Sequence, residues 1–419
     1  MKYFLQRIAE SLYSQYGKGL NTHCLVFPNR RAGLFFRKYL ADVIDKPVWS
    51  PSVMTINDLF HSLSSLQLAE NEMLLFELYK VYRKVRQSRE SFDDFYFWGD
   101  MLLNDFDDID KYLVDASKLF RNVKDIKRID ELFGGLTPEQ ASIVKRFWLN
   151  TDIERLTHQK SEFLNVWSIL DELFNEFKRV LKEKNLAYEG LIFRDVTEKQ
   201  RENDASGITR DMVHFIGFNA LNTCEKDIML RLKKEGRAKF YWDYDNSYIH
   251  GSSLNSAGFF LRDNITLFGN DMPDDWNYDT LLSANLSVTD KLIINTSSDI
   301  AQVKLIPELT GRLEGLTPEN AHETAVILAD ENLLIPLLTS LPEHLTDINI
   351  TMGYPLKQTS VYLLVKQIID LQLNARIEND IVFFNHRDVV KILKNSLILR
   401  LEKMQGSEII NDIIDKNLL

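Results

Sequence analysis

The apolar run His23-Cys24-Leu25-Val26-Phe27, followed at once by Pro28-Asn29-Arg30-Arg31-Ala32-Gly33, constrains this chain more than any other stretch. A short apolar run bounded by turn residues reads as a strand buried on both faces, which is the habit of parallel sheets covered by helices. From Ala32 to Ile44 the spacing of Leu34, Phe35, Tyr39 and Leu40 is helical. The run is preceded by a helix through about Tyr16 and a turn at Gly17-Lys18-Gly19. It is followed by a second strand from Val48 to Met54 and a helix opening at Thr55-Ile56-Asn57-Asp58, with Thr55 or Asn57 as its cap. Strand and helix in alternation predict a parallel α/β sheet.

From about Leu66 to Tyr188 the pattern turns to a 3.6-residue period, as in Met73 to Tyr82 and Phe163 to Leu170, which predicts a large helical insertion. Thr137-Pro138-Glu139-Gln140 reads as a capped helix start inside it, and Thr317-Pro318-Glu319 repeats that chemistry later. Strand signals resume at Met212–Phe218 and Ala238–Asp243, separated by a helix from Cys224 to Lys234. Ser247 to Asp279, rich in Gly, Ser, Asn and Asp, reads as an irregular surface loop. Lys291 to Asn295, Thr324 to Leu328 and Ile348 to Met352 read as strands of a second α/β unit, with a helix from Ser360 to Leu373. Arg387 to Met404 reads as a helix that opens a further helical region.

At 419 residues the chain has room for two to four compact units. Its 50 Lys and Arg against 61 Asp and Glu leave a net charge of −11, so attraction to nucleic acid has to come from local clusters. The two cysteines, Cys24 and Cys224, sit in apolar strand-like runs and make neither a disulfide framework nor a thiolate metal site. That cysteine usage predicts a reducing cytoplasm, and a charge-interrupted N-terminal helix and the lack of a long apolar run predict neither a signal peptide nor a membrane partner.

A phosphate loop needs a strand, a glycine-rich turn, then Lys and Ser/Thr opening a helix. Gly17-Lys18-Gly19 has that order reversed and reads as a solvated turn. Asn29, Arg30 and Arg31 stand where a helix N-terminus and two guanidinium groups favour phosphate, or where Asn29 caps the helix and the arginines are solvated. Thr55 and Asn57 read first as a helix cap. Phe215-Ile216-Gly217-Phe218-Asn219 ends its strand without the carboxylates that magnesium-assisted hydrolysis requires. In Trp242-Asp243-Tyr244-Asp245, the two carboxylates lack a third ligand and read as a turn, while Tyr244 or Trp242 offers a ring to a nucleic-acid base or to a core or interface. Asp105, Asp107, Asp108 and Asp110 read as a solvated acidic helix face. The histidines show no metal spacing.

The segment from Phe27 to Ala32 resembles the first single-strand-contacting motif of superfamily 1 helicases, and Thr55-Ile56-Asn57 stands where the next one falls. Taken in order, the motifs at 25–40, 48–60, 212–230, 238–248, 291–309 and 324–341 resemble the N-terminal part of AddB-type helicase-nuclease proteins of the Bacteroidetes kind. The resemblance implies an α/β fold built from degenerate RecA-like, P-loop-NTPase-like parallel sheets with a large all-helical insertion. Residues 1–65 plus 205–290 would form the first RecA-like domain, 66–204 its helical insertion, 291–385 a second RecA-like domain, and 386–419 the start of another insertion. It implies a role in DNA repair and recombination, with Asn29, Arg30, Arg31, Thr55, Asn57 and Tyr244 as DNA-contacting residues and an AddA-type helicase subunit as partner. The family's PD-(D/E)XK nuclease motif is not matched in these residues. The expected function is therefore a non-catalytic scaffold, with no cofactor and no metal, that guides single-stranded or forked DNA to a nuclease outside this chain. A module docking a partner helicase is the alternative, and an active ATPase the third.

Overall fold

The computed structural model describes residues 3–87, 89–124, 156–202, 207–250, 256–278, 292–311, 324–341, 348–401 and 412. The helix starts expected at Thr137 and Thr317 lie outside the described residues. The chain divides into two compact units, Met1–Thr289 and Asp290–Leu419.

The first unit is α/β, built on a parallel sheet. Strand β1 (His23–Phe27), buried along its whole length, lies between β2 (Ser52–Thr55) and β5 (Met212–Ile216), with β6 (Ala238–Tyr241) beyond β5. Cys24 sits opposite Ser52, His23 opposite Met212, and Val213 opposite Ala238. Successive side chains of a strand leave opposite faces of the sheet, and β1 divides its residues accordingly. Leu25 and Phe27 pack with Phe4, Ile8 and Leu12 of α1 (Phe4–Tyr16) and with Phe36 and Leu40 of α2 (Arg30–Val43). Cys24 and Val26 pack on the other face with Leu59 and Phe60 of α3 (Ile56–Leu63).

The helical region comprises α4 (Asn71–Arg86), α5 (Phe92–Lys111), α6 (Ala116–Lys124), α7 (Leu156–Glu183) and α8 (Glu189–Glu202). Strand β3 (Gln67–Leu68), just before α4, and β4 (Leu186–Ala187), between α7 and α8, form a two-residue parallel pair. Its aromatic core, including Phe95, Phe106, Phe174 and Phe177, is continuous with Val26 and Phe215 of the sheet. The helical region and the sheet therefore share one hydrophobic core.

Several elements differ from expectation. Gly17–Thr22 is a 3₁₀ turn of helix, and β2 begins at Ser52, because Pro47 and Pro51 lack the N–H that a ladder uses. Cys224 lies in helix α9 (Thr223–Lys234), and both cysteines are free and buried. The stretch expected to be an irregular loop holds α10 (Asn246–Ile249) and α11 (Phe259–Phe268). Leu261 and Phe268 of α11, seven residues apart on one helix face, reach the core, and that burial outweighs the loop-like composition around them.

The second unit contains α12 (Asp299–Gly311), α13 (Leu334–Ser340), α14 (Ser360–Leu373), α15 (His386–Leu393) and α16 (Ser396–Leu401). Strands β7 (Arg376–Glu378) and β8 (Ile381–Phe383) form a hairpin turned by Asn379 and Asp380, both at positive φ, as a two-residue hairpin turn of this hand requires. The strands expected at Lys291 to Asn295, Thr324 to Leu328 and Ile348 to Met352 pair with nothing among the described residues, and Ile293 and Ile327 are 94% and 90% exposed. An apolar β-type run supplies propensity but no partner, and without a partner strand there is no ladder. The helix expected from 387 to 404 breaks at Asn395, whose side chain accepts from the Leu397 amide at 3.0 Å.

Candidate nucleic-acid interface

In an open parallel sheet, ligands bind outside the carboxyl ends of the strands, where consecutive connections leave in opposite directions. Here β1 leads to β2 on one side, and the chain returns to β5 on the other. The crevice thus lies between the loop after Phe27 and the loop after Ile216. Gly217 leaves β5 at φ +73°, in the left-handed region that glycine enters without a Cβ penalty.

Pro28 and Asn29 carry the chain from β1 into α2. Asn29 is extended, and its side-chain oxygen accepts from the Ala32 amide at 2.9 Å, satisfying one free donor of the helix end. Arg30 and Arg31 are the first two residues of α2, both exposed, with no acidic residue in the first turn. Cations at this end oppose the helix dipole by about 0.3–1 kcal/mol each. The Arg30 guanidinium lies 3.9 Å from Asp58 while remaining 86% exposed, and Arg31 forms no ion pair among the described residues.

The next strand presents a second helix end beside the first. Thr55 and Asp58 form a reciprocal capping box: the Asp58 amide donates to Thr55 Oγ1 at 3.1 Å and the Thr55 amide to Asp58 Oδ2 at 3.0 Å. The bond from the Thr55 amide, then that from its hydroxyl, holds the Asp58 carboxyl below its usual range. Asn57 is exposed, and its amide donates to Glu189 at the start of α8. Glu189 also takes Lys111 at 3.1 Å, and Lys111 takes Asp107 at 2.7 Å. Asn57 is thereby tied to the helical region.

Asn29, Arg30, Arg31, Thr55 and Asn57 thus share one edge of the sheet. Tyr244 follows β6, two strands away from β1, and stacks on Tyr278 with ring centroids 4.1 Å apart. Asp243 is exposed, whereas Asp245 is buried and caps α10 through the Ser247 amide at 2.8 Å. No group of three His, Cys, Asp or Glu side chains among the described residues is placed to hold a metal ion. Gly17-Lys18-Gly19 lies before β1, at the sheet edge opposite the crevice.

The acidic run on α5 is not a solvated face. Asp110 is fully buried, accepting from Lys178 at 2.8 Å and from the Tyr188 hydroxyl at 2.5 Å, with Arg194 Nε at 2.7 Å. Burial pulls the Lys178 ammonium down from its ordinary value and pushes the Tyr188 phenol well up. Asp107 accepts from the Gly190 amide, while Asp105 and Asp108 face solvent. The helix splits the four carboxylates of this run between its two faces, and only the partner helices reveal which pair is inside. Sequence reasoning also missed two residues that shape the edge. Asp58 could have been found from the Thr-x-x-Asp spacing of a capping box, but Glu189 is 132 residues from Asn57 and carries no local signal.

The chain matches no protein-family model and no curated protein sequence.

Proposed function

We propose that this chain is a non-catalytic, RecA-like scaffold that binds single-stranded or forked DNA at the carboxyl edge of its sheet, through Asn29, Arg30 and Arg31. One observation carries the reading: two exposed arginines open α2 against its own dipole, with the nearest paired carboxylate 3.9 Å from Arg30. Such an arrangement is unfavourable alone and favourable once a phosphate completes it. The crevice between the ends of β1 and β5 supports the same placement.

Within this reading Thr55 sets the neighbouring helix end, Asn57 joins the edge to the helical region, and Tyr244 offers a stacking ring farther along it. We assign no nucleotide hydrolysis to the chain, a reading supported by the glycine-rich turn that precedes β1 and by Gly217 and Phe218, in place of carboxylates, at the β5 end. The scaffold would serve double-strand-break repair in the cytoplasm beside an AddA-type helicase subunit, delivering a strand to a nuclease domain of the AddB-type family. RecA-like architecture, strand guidance and partner all follow the sequence resemblance.

A second reading, a protein-docking module, is favoured by Met73 and Phe76 of α4 and Tyr96, Phe97 and Met101 of α5, each about half exposed or more. Ionic strength separates the two readings. Binding through phosphates weakens steeply with salt, whereas an apolar contact does not. The deciding experiment is a salt-titrated binding assay with single-stranded, forked and duplex DNA, using the wild type and an Arg30→Glu/Arg31→Glu variant. Salt-sensitive binding lost in the variant supports the scaffold, and no binding by either protein removes it.

A further inference from the structure

We propose that the whole outer face of α2, beyond its N-terminus, is a track for single-stranded nucleic acid, with Arg30, Arg31, Arg37 and Lys38 on successive phosphates and Phe35 toward the bases. This deepens the DNA-binding reading and rests on it.

Local charge comes first. Within its 14 residues α2 carries four cations and one carboxylate, Asp42, in a chain whose net charge is −11. At about 100° per residue the four cations point to one side of the helix, while Gly33, Phe36 and Leu40 face the core. Neither Arg31 nor Lys38 has an ion-pair partner among the described residues. Arg37 donates one bond to the Val53 carbonyl at 3.3 Å, and its remaining donors meet no acceptor among the described residues.

Length decides how many phosphates are involved. Lys38 lies just over two turns beyond Arg30, about 12 Å along the axis, which is too far for one phosphate to bridge. A ligand satisfying both ends is therefore a polyanion that runs along the helix.

Aromatic rings then distinguish a single strand from a duplex. Phe35 stands on the flank of the cationic row, its ring 6.4 Å from Tyr39, which stacks on Tyr3 at 6.1 Å. Phe35 and Tyr3 are 39% and 48% exposed, and Leu34 is 64% exposed between the cations. A merely solvated helix face would mix acids among its bases and would not turn Leu and Phe outward. Cations beside exposed rings are what sequence-tolerant single-strand binding uses, and a paired duplex hides the base faces that such rings stack upon.

The test is fluorescence anisotropy of a labelled oligothymidylate against the full chain across a salt series, with variants Arg37→Gln/Lys38→Gln, Phe35→Ala and Arg30→Glu/Arg31→Glu, each checked for native circular dichroism. Each lost phosphate contact lowers the salt slope by about 0.7, so the Arg37→Gln/Lys38→Gln variant is expected to fall by about 1.4. Phe35→Ala is expected to bind about tenfold more weakly with an unchanged slope, because stacking releases no counterions. If Arg37→Gln/Lys38→Gln and Phe35→Ala both match the wild type while Arg30→Glu/Arg31→Glu abolishes binding, the track is overturned and the DNA-binding edge survives. If the wild type itself does not bind, both fall.

Discussion

His23 Nδ1 lies 2.8 Å from His214 Nε2, so two imidazoles 191 residues apart in sequence share one hydrogen bond inside the sheet. The bond needs a donor on one ring and an acceptor on the other. His214 Nδ1 continues the chain to the Tyr241 hydroxyl at 3.2 Å, and the Tyr16 ring covers His23 at 4.2 Å. Asp211 faces this chain near His23 and Lys239 near His214.

The first prediction follows from that pair. Burial, then the neighbouring His23 and Lys239, pull His214 down to about 3, and burial lowers His23 despite Asp211. An imidazole held neutral in the fold takes up its proton only on unfolding, so stability is full above about pH 6.5 and declines as pH falls toward 3. At pH 5 the loss from His214 is about 2 kcal/mol. Urea midpoints between pH 7 and 4.5 should fall in the wild type and much less in His214→Leu. Equal slopes in the two proteins would remove the assignment.

Asp110 anchors α5 to α7 and α8. Asp110→Ala removes the carboxylate that pairs with Lys178 and with Arg194 Nε, leaving Arg194 only Glu198 at 3.7 Å and the Ile109 and Val114 carbonyls, and should cost about 3–5 kcal/mol. Adding Lys178→Met should recover part of that loss, because the double variant no longer buries a lone ammonium. A urea double-mutant cycle measures this, and simple additivity would show that the pair is not coupled.

Gly190, the second residue of α8, lies against the backbone of α5, where an added Cβ would fall inside the van der Waals distance of the Asp107 carbonyl. Because the obstacle is backbone, Gly190→Ala should destabilise by about 1–3 kcal/mol in thermal or urea unfolding. Gly19→Ala is the control: a methyl group there would meet nothing within 4 Å, and the change should be close to neutral.

Asp58 is the carboxylate that pairs with Arg30 among the described residues. Replacing it in Asp58→Asn removes a surface attraction of at most about 1 kcal/mol and a repulsion toward phosphate. Low-salt affinity for single-stranded DNA should rise by about threefold, while the cap on α3 weakens slightly. Unchanged or weaker affinity in a folded protein would detach Arg30 from the strand.

Local elements were largely legible. The strand His23–Phe27, the helix after it, the Thr55 cap and the strands at Met212 and Ala238 all follow from short-range periodicity and capping chemistry. The candidate edge residues were legible for the same reason, since Asn29, Arg30 and Arg31 follow a strand and open a helix within three positions. Failures occurred where one element depends on another. Composition at 247–279 masked α11, whose Leu261 and Phe268 are held by a core assembled from distant segments. The apolar runs at 292–295 and 324–328 had strand propensity but found no partner among the described residues.

The sequence by itself determined the strands at His23, Met212 and Ala238, where the helix after His23–Phe27 begins, the Thr55 cap, and that cations rather than acids open α2. Those properties depend on neighbours within about four positions along a helix. Only the tertiary structure decided that β1 lies between β2 and β5, that Glu189 engages Asn57, and that Asp110 is buried among Lys178, Tyr188 and Arg194. A buried carboxylate or a parallel ladder is favourable only when its partner arrives, and these partners come from segments that the chain brings together by closing long loops around a shared core.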